Sequence, residues 1–178
     1  MFVTLAKKID AADKELKAEL GIKNKLALPH ITKVVINVGT GKAKDKKRNE
    51  MVADRLAKIT GQKPSARGAK QSIASFKVRQ GDVVGYAVTL RGARMWSFLD
   101  KLLNIAMPRM RDFKGYDSKA IDSLGNLSIG IKENTIFPET ADEDLRDVFG
   151  MTVTMVTTAK DKKAALAFFK AIGFPFKK

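Results

Sequence analysis

The feature that most constrains this fold is an alternation of apolar residues with mostly small or polar ones in four short segments. The clearest cases are Leu127, Ile129 and Ile131 around Ser128 and Gly130, and Met151, Val153 and Met155 around Thr152 and Thr154. Residues 31–38 and 86–91 show the same pattern. Successive side chains of a strand point to opposite faces, so each segment is predicted to be a strand with one wet face. A parallel sheet covered on both sides would be apolar throughout. We therefore expect an α+β fold with an antiparallel or mixed sheet, helices packed on one face and the other face open.

Helical spacing of apolar residues predicts four helices around these strands. They are expected from Leu5 to Leu20, around Val52 to Ile59 after an N-cap at Asp45, from Gly92 to Pro108, and from Lys162 to Ile172. A chain of 178 residues has the length of one ordinary domain, so residues 1–178 are predicted to form a single domain.

The predicted open face carries short polar side chains and almost no bulky ones: Asn37, Thr89, Arg91, Ser128, Gly130, Thr152 and Thr154. Double-stranded RNA presents a wide, shallow minor groove lined by 2′-hydroxyls, and a flat hydrogen-bonding surface suits it. Base stacking is not expected on this face, because Trp96, Phe98, Phe168 and Phe169 fall on predicted helices. The alternative is a face that is only solvated.

The charge of the chain favours a polyanionic partner. Lys and Arg number 34 against 19 Asp and Glu, a net charge of +15. Residues 63–111 hold ten basic and two acidic residues, whereas residues 115–159 hold three basic and eight acidic ones. A basic half suits RNA, and the acidic stretch suits a basic protein or is merely a solvated surface.

Several classes of site are excluded or weakened by composition. The chain has no cysteine and one histidine, His30, which excludes thiolate metal sites, catalytic triads and sites with two histidines. His30 lies beside Pro29 at a strand start, where a structural role is expected. No cofactor or metal is predicted. A magnesium-dependent nuclease stays as the alternative function, with Asp142, Glu143 and Asp144 among its acidic residues.

Two further segments are candidates for contact with phosphates. The turn Gly39–Lys42 fails the Walker spacing, because Ile36 and Ala43 occupy the required Gly and Ser or Thr positions. It could still contact an RNA phosphate or be only a turn. Residues 71–85 alternate around Lys77 and Arg79 and contain a Gln-Gly-Asp turn signal, which predicts a protruding basic hairpin or long loop. An internal strand with Lys77 and Arg79 facing solvent is the alternative.

No apolar leader and no stretch of about 20 apolar residues is found, so a cytoplasmic protein without membrane contact is expected.

Taken in order, seven blocks of this chain resemble the bacterial ribosomal protein L5 family of the large subunit. The blocks are VVINVGTG (34–41), ITGQKP (59–64), SFKVRQG (75–81), VTLRGARMW (88–96), MPRMRDFKG (107–115), GNLSIGIKENTIFPE (125–139) and GFPFKK (173–178). About the first twenty residues match only in pattern.

This resemblance implies a protein without catalytic activity that binds 5S rRNA through its open sheet and helps attach that RNA to the large subunit in the central protuberance. Large-subunit rRNA and other 5S rRNA-associated large-subunit proteins are implied as further partners, with the ribosome in the cytoplasm as the location. The residues implied to bind 5S rRNA are Asn37, Gln62, Lys63, Thr89 and Arg91.

The resemblance also implies two contacts outside the sheet. The SFKVRQG block resembles a loop that approaches the peptidyl-site tRNA, which would involve Ser75, Lys77, Arg79 and Gln80. A bridge to small-subunit protein S13 is implied for one of two segments, with Arg109 and Arg111 or with Asp142, Glu143 and Asp144. A general basic RNA chaperone or annealer remains an alternative and would bind every RNA with equal affinity.

Overall fold

A computed structural model describes residues 5–41, 46–111, 113–140 and 148–177. Its α-helices are α1 (Leu5–Leu20), α2 (Lys46–Thr60), α3 (Gly92–Lys101) and α4 (Lys162–Ala171). The strands are β1 (Ile31–Gly39), β2 (Ser65–Gly68), β3 (Val83–Leu90), β4 (Leu127–Ile131) and β5 (Met151–Thr157). They form one open antiparallel sheet in the order β2-β3-β1-β5-β4. The predicted α+β class is confirmed, as are the four helices.

Burial along the strands follows the predicted alternation. On β4, Leu127, Ile129 and Ile131 are buried while Ser128 and Gly130 are exposed. On β1, the apolar residues Val34, Ile36 and Val38 are buried and Asn37 between them is exposed. One face of β1, β4 and β5 therefore supplies the core and the other presents polar residues, whereas on β3 both Ala87 and Val88 are buried.

The described residues divide into two compact units. The first comprises those within Met1–Val34, Arg91–Ile129 and Thr154–Lys178, and the second comprises Val35–Leu90 with those within Gly130–Val153. In the first unit α1 contacts α3 and α4, and Leu16, Leu99 and Phe168 are fully buried. In the second unit α2 contacts β3 and buries Leu56 and Ile59. The prediction of a single domain over residues 1–178 stays a prediction.

The third helix ends earlier than its apolar spacing predicted. Its α-helical part stops at Lys101, and a π-helical turn (Leu102–Ala106) and a 3-10 turn (Met107–Arg109) follow. Pro108 has no backbone N–H to donate to the carbonyl of residue 104, so the α-helical pattern cannot continue through it. The Met107 N–H instead donates to the Leu102 carbonyl, which is the longer hydrogen bond of a π turn.

Strand β2 was not predicted, because its sequence Ser-Ala-Arg-Gly has no apolar alternation and all four residues are exposed. It is an edge strand that forms by main-chain pairing with β3, with Ser65 opposite Ala87 and an irregularity between Arg67 and Gly68. On its other side β3 approaches β1 closely at Gly85. A Cβ atom on Gly85 would lie 2.6 Å from the carbonyl oxygen of Val38, so this contact requires glycine.

Among the helices of the described ranges, none has the length and apolar character to cross a membrane. The predicted N-cap Asp45 lies outside the described residues.

Candidate nucleic-acid interface

Asn37 on strand β1 has an exposed side-chain amide. Its neighbours Ile36 and Val38 are buried, with exposed fractions of 0% and 2%, and they fix the strand so that Asn37 points away from the core. Within the described part of the chain its side chain takes part in no hydrogen bond. An Asn amide offers two donors and one acceptor, so Asn37 can bond to an external hydroxyl or base edge.

Gln62 and Thr89 are brought together at the end of α2. The helix closes at Gly61, whose φ of +67° is the left-handed conformation typical of a residue after a helix. The Gln62 Nε2 donates to the Thr89 carbonyl over 3.4 Å, while the backbone carbonyl of Gln62 accepts from the Thr60 hydroxyl over 3.1 Å. Lys63 follows as an exposed cation. This local arrangement places an amide, a lysine and a half-buried threonine next to one another.

The side-chain hydroxyl of Thr89 is engaged by no other group of the described ranges. Ala87, which precedes it on the same face and lies opposite Ser65 of β2, is only 4% exposed. The part of β3 that is open to a partner is therefore its end, around Thr89, and not its whole length.

The sequence predicted that Arg91 lies within the strand of residues 86–91. In the structure β3 ends at Leu90, and Arg91 lies just beyond it. It is the N-cap residue of α3, in extended conformation with φ −141° and ψ 164°, and its side chain is exposed. Gly92 then adopts a φ of +58° as the helix begins. A guanidinium in this position can donate two parallel hydrogen bonds to a phosphate.

Two of the outward hydroxyl groups on β4 and β5 are already paired, whereas the exposed hydroxyl of Thr152 on β5 has no partner in the described ranges. Ser128 Oγ and Thr154 Oγ1 lie 3.0 Å apart and share a hydrogen bond. On β1 the Thr32 hydroxyl donates to the Val156 carbonyl over 3.1 Å. The sequence placed Ser128 and Thr154 on the wet face without showing that they are engaged, because the pairing depends on the strand register.

Residues 69–82 connect β2 to β3 and contain the predicted tRNA-contacting residues. Ser75, Lys77, Arg79 and Gln80 are all exposed. The loop is organised by its own hydrogen bonds: the Arg79 N–H donates to the Asp82 carboxylate over 2.8 Å, and the Gln80 N–H donates to Ser72 Oγ over 2.9 Å. It contains a 3-10 turn (Ala74–Phe76) in place of the predicted strand alternation.

Lys77 has the left-handed conformation, with a φ of 51°. It ends the 3-10 turn, and an antiparallel bridge between Ile73 and Val78 closes the loop around it. A lysine pays a small conformational cost there, so its charged end is presented from a defined backbone position.

The two candidate bridge segments differ in what the structure describes. Arg109 and Arg111 are exposed at and after the 3-10 turn that follows α3. Asp142, Glu143 and Asp144 lie outside the described residues, as does the rest of that acidic run up to Asp147.

No group of three or more His, Asp or Glu side chains within the described ranges could hold a metal ion. His30 is held at the start of β1, where its N–H donates to the Thr158 hydroxyl over 3.1 Å and its Nδ1 lies 3.2 Å from the same oxygen. This double contact fits the structural role predicted for His30.

Comparison with known proteins decides the family. The sequence pattern described as "ribosomal L5P family C-terminus" matches residues 83–176, and the pattern described as "Ribosomal protein L5" matches residues 24–79. The chain belongs to the ribosomal protein L5 family. Curated relatives are similar to this chain over nearly their whole length. The three described next are each named large ribosomal subunit protein uL5.

The relative from Natranaerobius thermophilus is 49% identical over 163 residues, which is 91% of each chain. The relative from Ureaplasma parvum is 48% identical over 166 residues, 93% of this chain and 90% of its own. The relative from Colwellia psychrerythraea is 43% identical over 170 residues, 95% of this chain and 94% of its own.

Membership in this family confirms the resemblance read from the sequence blocks. The chain is a structural protein of the large ribosomal subunit and not an enzyme, so the nuclease alternative is set aside. Association with ribosomal RNA and location with the ribosome in the bacterial cytoplasm follow from the same relatives.

Proposed function

We propose that this L5-family protein binds 5S rRNA and helps attach it to the large subunit. Asn37, Gln62, Lys63, Thr89 and Arg91 form the proposed contact. The observation that carries the proposal is that the amide of Asn37 and the hydroxyl of Thr89 lie on adjacent strands β1 and β3 with no bond inside the described protein.

The unpaired side-chain donors and acceptors of Asn37 and Thr89, carried on two adjacent strands, favour site-specific binding over general attraction to RNA. The positive charge of the chain supplies affinity for any RNA and depends on salt, whereas neutral hydrogen bonds to sugars and base edges distinguish one RNA from another. The fixed backbones of β1 and β3 lower the cost of ordering these side chains when RNA binds.

The direct test is equilibrium binding of the full chain to 5S rRNA and to an unrelated folded RNA of equal length. We expect a clear preference for 5S rRNA that persists at physiological salt. Equal affinity for both RNAs would support a general annealer instead and contradict the proposal. Nucleotides protected by the protein in a chemical footprint should form one continuous site on 5S rRNA.

The exposed loop of residues 69–82 is proposed to contact the peptidyl-site tRNA through Ser75, Lys77, Arg79 and Gln80. Its internal hydrogen bonds hold two cations in a fixed loop outside the 5S site. In ribosomes reconstituted with Lys77→Ala and Arg79→Ala together, tRNA should dissociate faster from the peptidyl site. Affinity of the same double variant for isolated 5S rRNA should match that of the unchanged protein. A loss of 5S binding would instead assign the loop to that RNA.

A bridge to small-subunit protein S13 is proposed for one of the two segments named above. Arg109 and Arg111 are exposed cations that would need an acidic partner surface, whereas Asp142, Glu143 and Asp144 would need a basic one. Charge reversal of each segment separately, followed by measurement of subunit association, would assign the bridge. Unchanged association in both cases would contradict it.

A further inference from the structure

The second unit contains a large cavity that the sheet-face proposal does not use. Its volume is about 1060 Å³, and it lies among the turn after β1, the start of α2, the loop of residues 69–82, the start of β3 and residues 148–150. Ligand pockets commonly have volumes of several hundred to about 1,000 Å³, so this cavity has room for a nucleotide-sized group.

The walls of this cavity are mainly apolar, and one wall carries an exposed aromatic ring. Val52 and Phe149 are buried, whereas Phe76 and Ile73 on the loop have exposed fractions of 71% and 46%. A phenyl ring with that exposure contributes little to the core. Aromatic side chains in this situation provide a stacking surface, and a nucleobase of any identity can stack on one.

Two residues that line the cavity each carry a buried polar side-chain atom that has no hydrogen-bond partner in the described part of the chain. Thr40 is 6% exposed, and its Oγ1 is buried without a hydrogen bond. Its backbone N–H donates to the Val84 carbonyl over 2.9 Å, which fixes the residue beside β3. The Oδ1 of Asn49, near the start of α2, is also buried without a partner. Buried polar groups are nearly always hydrogen-bonded, so these two atoms indicate a ligand with donors and acceptors.

The charge of the cavity favours an anionic ligand. Arg48 and Lys70 line it, and none of its described lining residues is acidic. A ligand that combines a planar apolar face, hydrogen-bonding edges and negative charge matches all three properties. A nucleotide has this combination, whereas an aromatic amino-acid side chain lacks the charge.

We propose that this cavity binds a single unpaired nucleotide of ribosomal RNA, separately from the sheet face. The base of this nucleotide stacks on Phe76 and packs against the valines that line the cavity. The edge of the base bonds to the Thr40 hydroxyl and the Asn49 amide oxygen. Arg48 and Lys70 contact the phosphates of the RNA chain. The cavity thus adds recognition of an extruded base to binding by a flat surface.

Nuclear magnetic resonance of the full chain with labelled methyl groups tests the proposal directly. The probes are AMP, GMP, CMP and UMP, with ribose 5-phosphate as the ligand that lacks a base and N-acetyltryptophanamide as the ligand that lacks a phosphate. We expect at least one nucleotide to shift the methyl signals of Val52, Val84 and Ile73 in a saturable way. The signal of Ile121, a buried residue of the first unit, should not move.

Two variants with one control connect the shifts to the cavity. Thr40→Val removes the unpaired hydroxyl at nearly constant shape, so the protein should remain folded while nucleotide affinity falls about threefold to tenfold. Phe76→Ala should lower the affinity about tenfold through loss of stacking. Leu124→Ala removes an equally exposed apolar side chain, 68% exposed and outside the cavity, and should leave nucleotide affinity unchanged.

Each other outcome overturns the proposal. Equal shifts with ribose 5-phosphate would mean a phosphate site without base recognition. Shifts with N-acetyltryptophanamide but not with nucleotides would mean a pocket for a protein side chain. Absence of shifts with every probe would mean an empty cavity. Asn37→Ala should not change the affinity of the cavity for nucleotides. A failure of the cavity proposal can therefore be distinguished from a failure of 5S rRNA binding by the sheet.

Discussion

Asn37 on β1 and Thr89 on β3 differ from Ser128 on β4 and Thr154 on β5 in what their outward side chains do. Asn37 and Thr89 have no side-chain partner in the described protein, whereas Ser128 and Thr154 bond to each other over 3.0 Å. The sequence pattern treats all four as equivalent wet-face positions. The difference indicates that the first pair is available to bind RNA, while the second pair mainly stabilises its own strands.

The polar groups around β4 and β5 extend this structural role. The Thr157 hydroxyl donates to the Gly125 carbonyl over 2.7 Å, and the Thr157 N–H donates to Asn126 Oδ1 over 3.2 Å. These bonds hold the end of β5 to the turn before β4. By contrast, the side chains of Asn37 on β1 and Thr89 on β3 bond to no group of the described protein, although Thr32 at the start of β1 donates to the Val156 carbonyl.

The largest effect is expected where the close approach of β1 and β3 is disturbed. Gly85→Ala puts a methyl group 2.6 Å from the Val38 carbonyl oxygen, and a backbone atom must move to make room. We expect the free energy of unfolding to fall by about 2 to 4 kcal/mol, measured by chemical denaturation. Affinity for 5S rRNA should fall with it, since Asn37 and Thr89 depend on this spacing.

Gly39→Ala is the matched control for that change. A Cβ atom on Gly39, at the end of the same strand β1, meets nothing within 4 Å. Its free energy of unfolding should therefore stay within about 0.5 kcal/mol of the original. If the two alanine variants unfold at the same denaturant concentration, the packing of β1 against β3 does not position this surface.

The next effect concerns charge beside β3. Lys63→Ala should weaken 5S rRNA binding by about 1 to 2 kcal/mol at low salt and lower the slope of log affinity against log salt by roughly 0.7 to 0.9, as loss of one phosphate contact requires. Lys170→Ala removes an exposed cation from α4, outside the proposed interface. A control variant that loses the same slope would show that total charge, not position, determines binding.

A smaller effect separates the free polar groups from the paired ones. Asn37→Ala should weaken 5S rRNA binding by about 1 kcal/mol without changing the salt slope, because a neutral hydrogen bond is lost. Ser128→Ala should cost less than about half as much, since its hydroxyl already bonds to Thr154. Both affinities are measured by the same titration. Equal losses would mean that the paired hydroxyls contact RNA as directly as Asn37 does.

The sequence predicted the elements whose signal is local. Alternation located β4 to the residue, and helical spacing located α1 and α4 to within one residue. Strand β2 was missed because its four residues carry no pattern and it forms by pairing with β3. The contact of Gln62 with Thr89 joins residues 27 positions apart, so family resemblance could suggest both residues but not their hydrogen bond.

The cavity of the second unit was beyond prediction for a related reason. Its lining comes from several separated segments, and the unpaired state of Thr40 and Asn49 depends on their neighbours in the fold. A threonine in a glycine turn reads as an ordinary turn residue in the sequence. Only burial without a partner distinguishes it.

The smallest expected effect tests how the turn before β4 supports the paired strands. Asp122 accepts hydrogen bonds from the backbone N–H groups of Leu124 (3.0 Å) and Asn126 (2.7 Å) and from Asn126 Nδ2 (2.9 Å). Partial burial raises the pKa of the Asp122 carboxyl, but these bonds outweigh it and hold the pKa below its ordinary value. The ionised carboxylate therefore stabilises the folded protein.

The sign of the pH dependence follows from that lowered pKa. The contribution is complete above the unfolded-state pKa of about 3.9 and disappears as the pH falls through the lower folded value. Because Asp122 is largely exposed, we expect its carboxylate to contribute less than about 1 kcal/mol to the free energy of unfolding at neutral pH.

Asp122→Asn should unfold more easily than the original protein at pH 7 and equally at pH 2. In Asn126→Ala, carbon-detected titration should show the Asp122 pKa moving back up toward its ordinary value. A stability difference that persists unchanged at pH 2 would mean that the side chain acts through its shape and not its charge, and that the β4 turn is not held by the carboxylate.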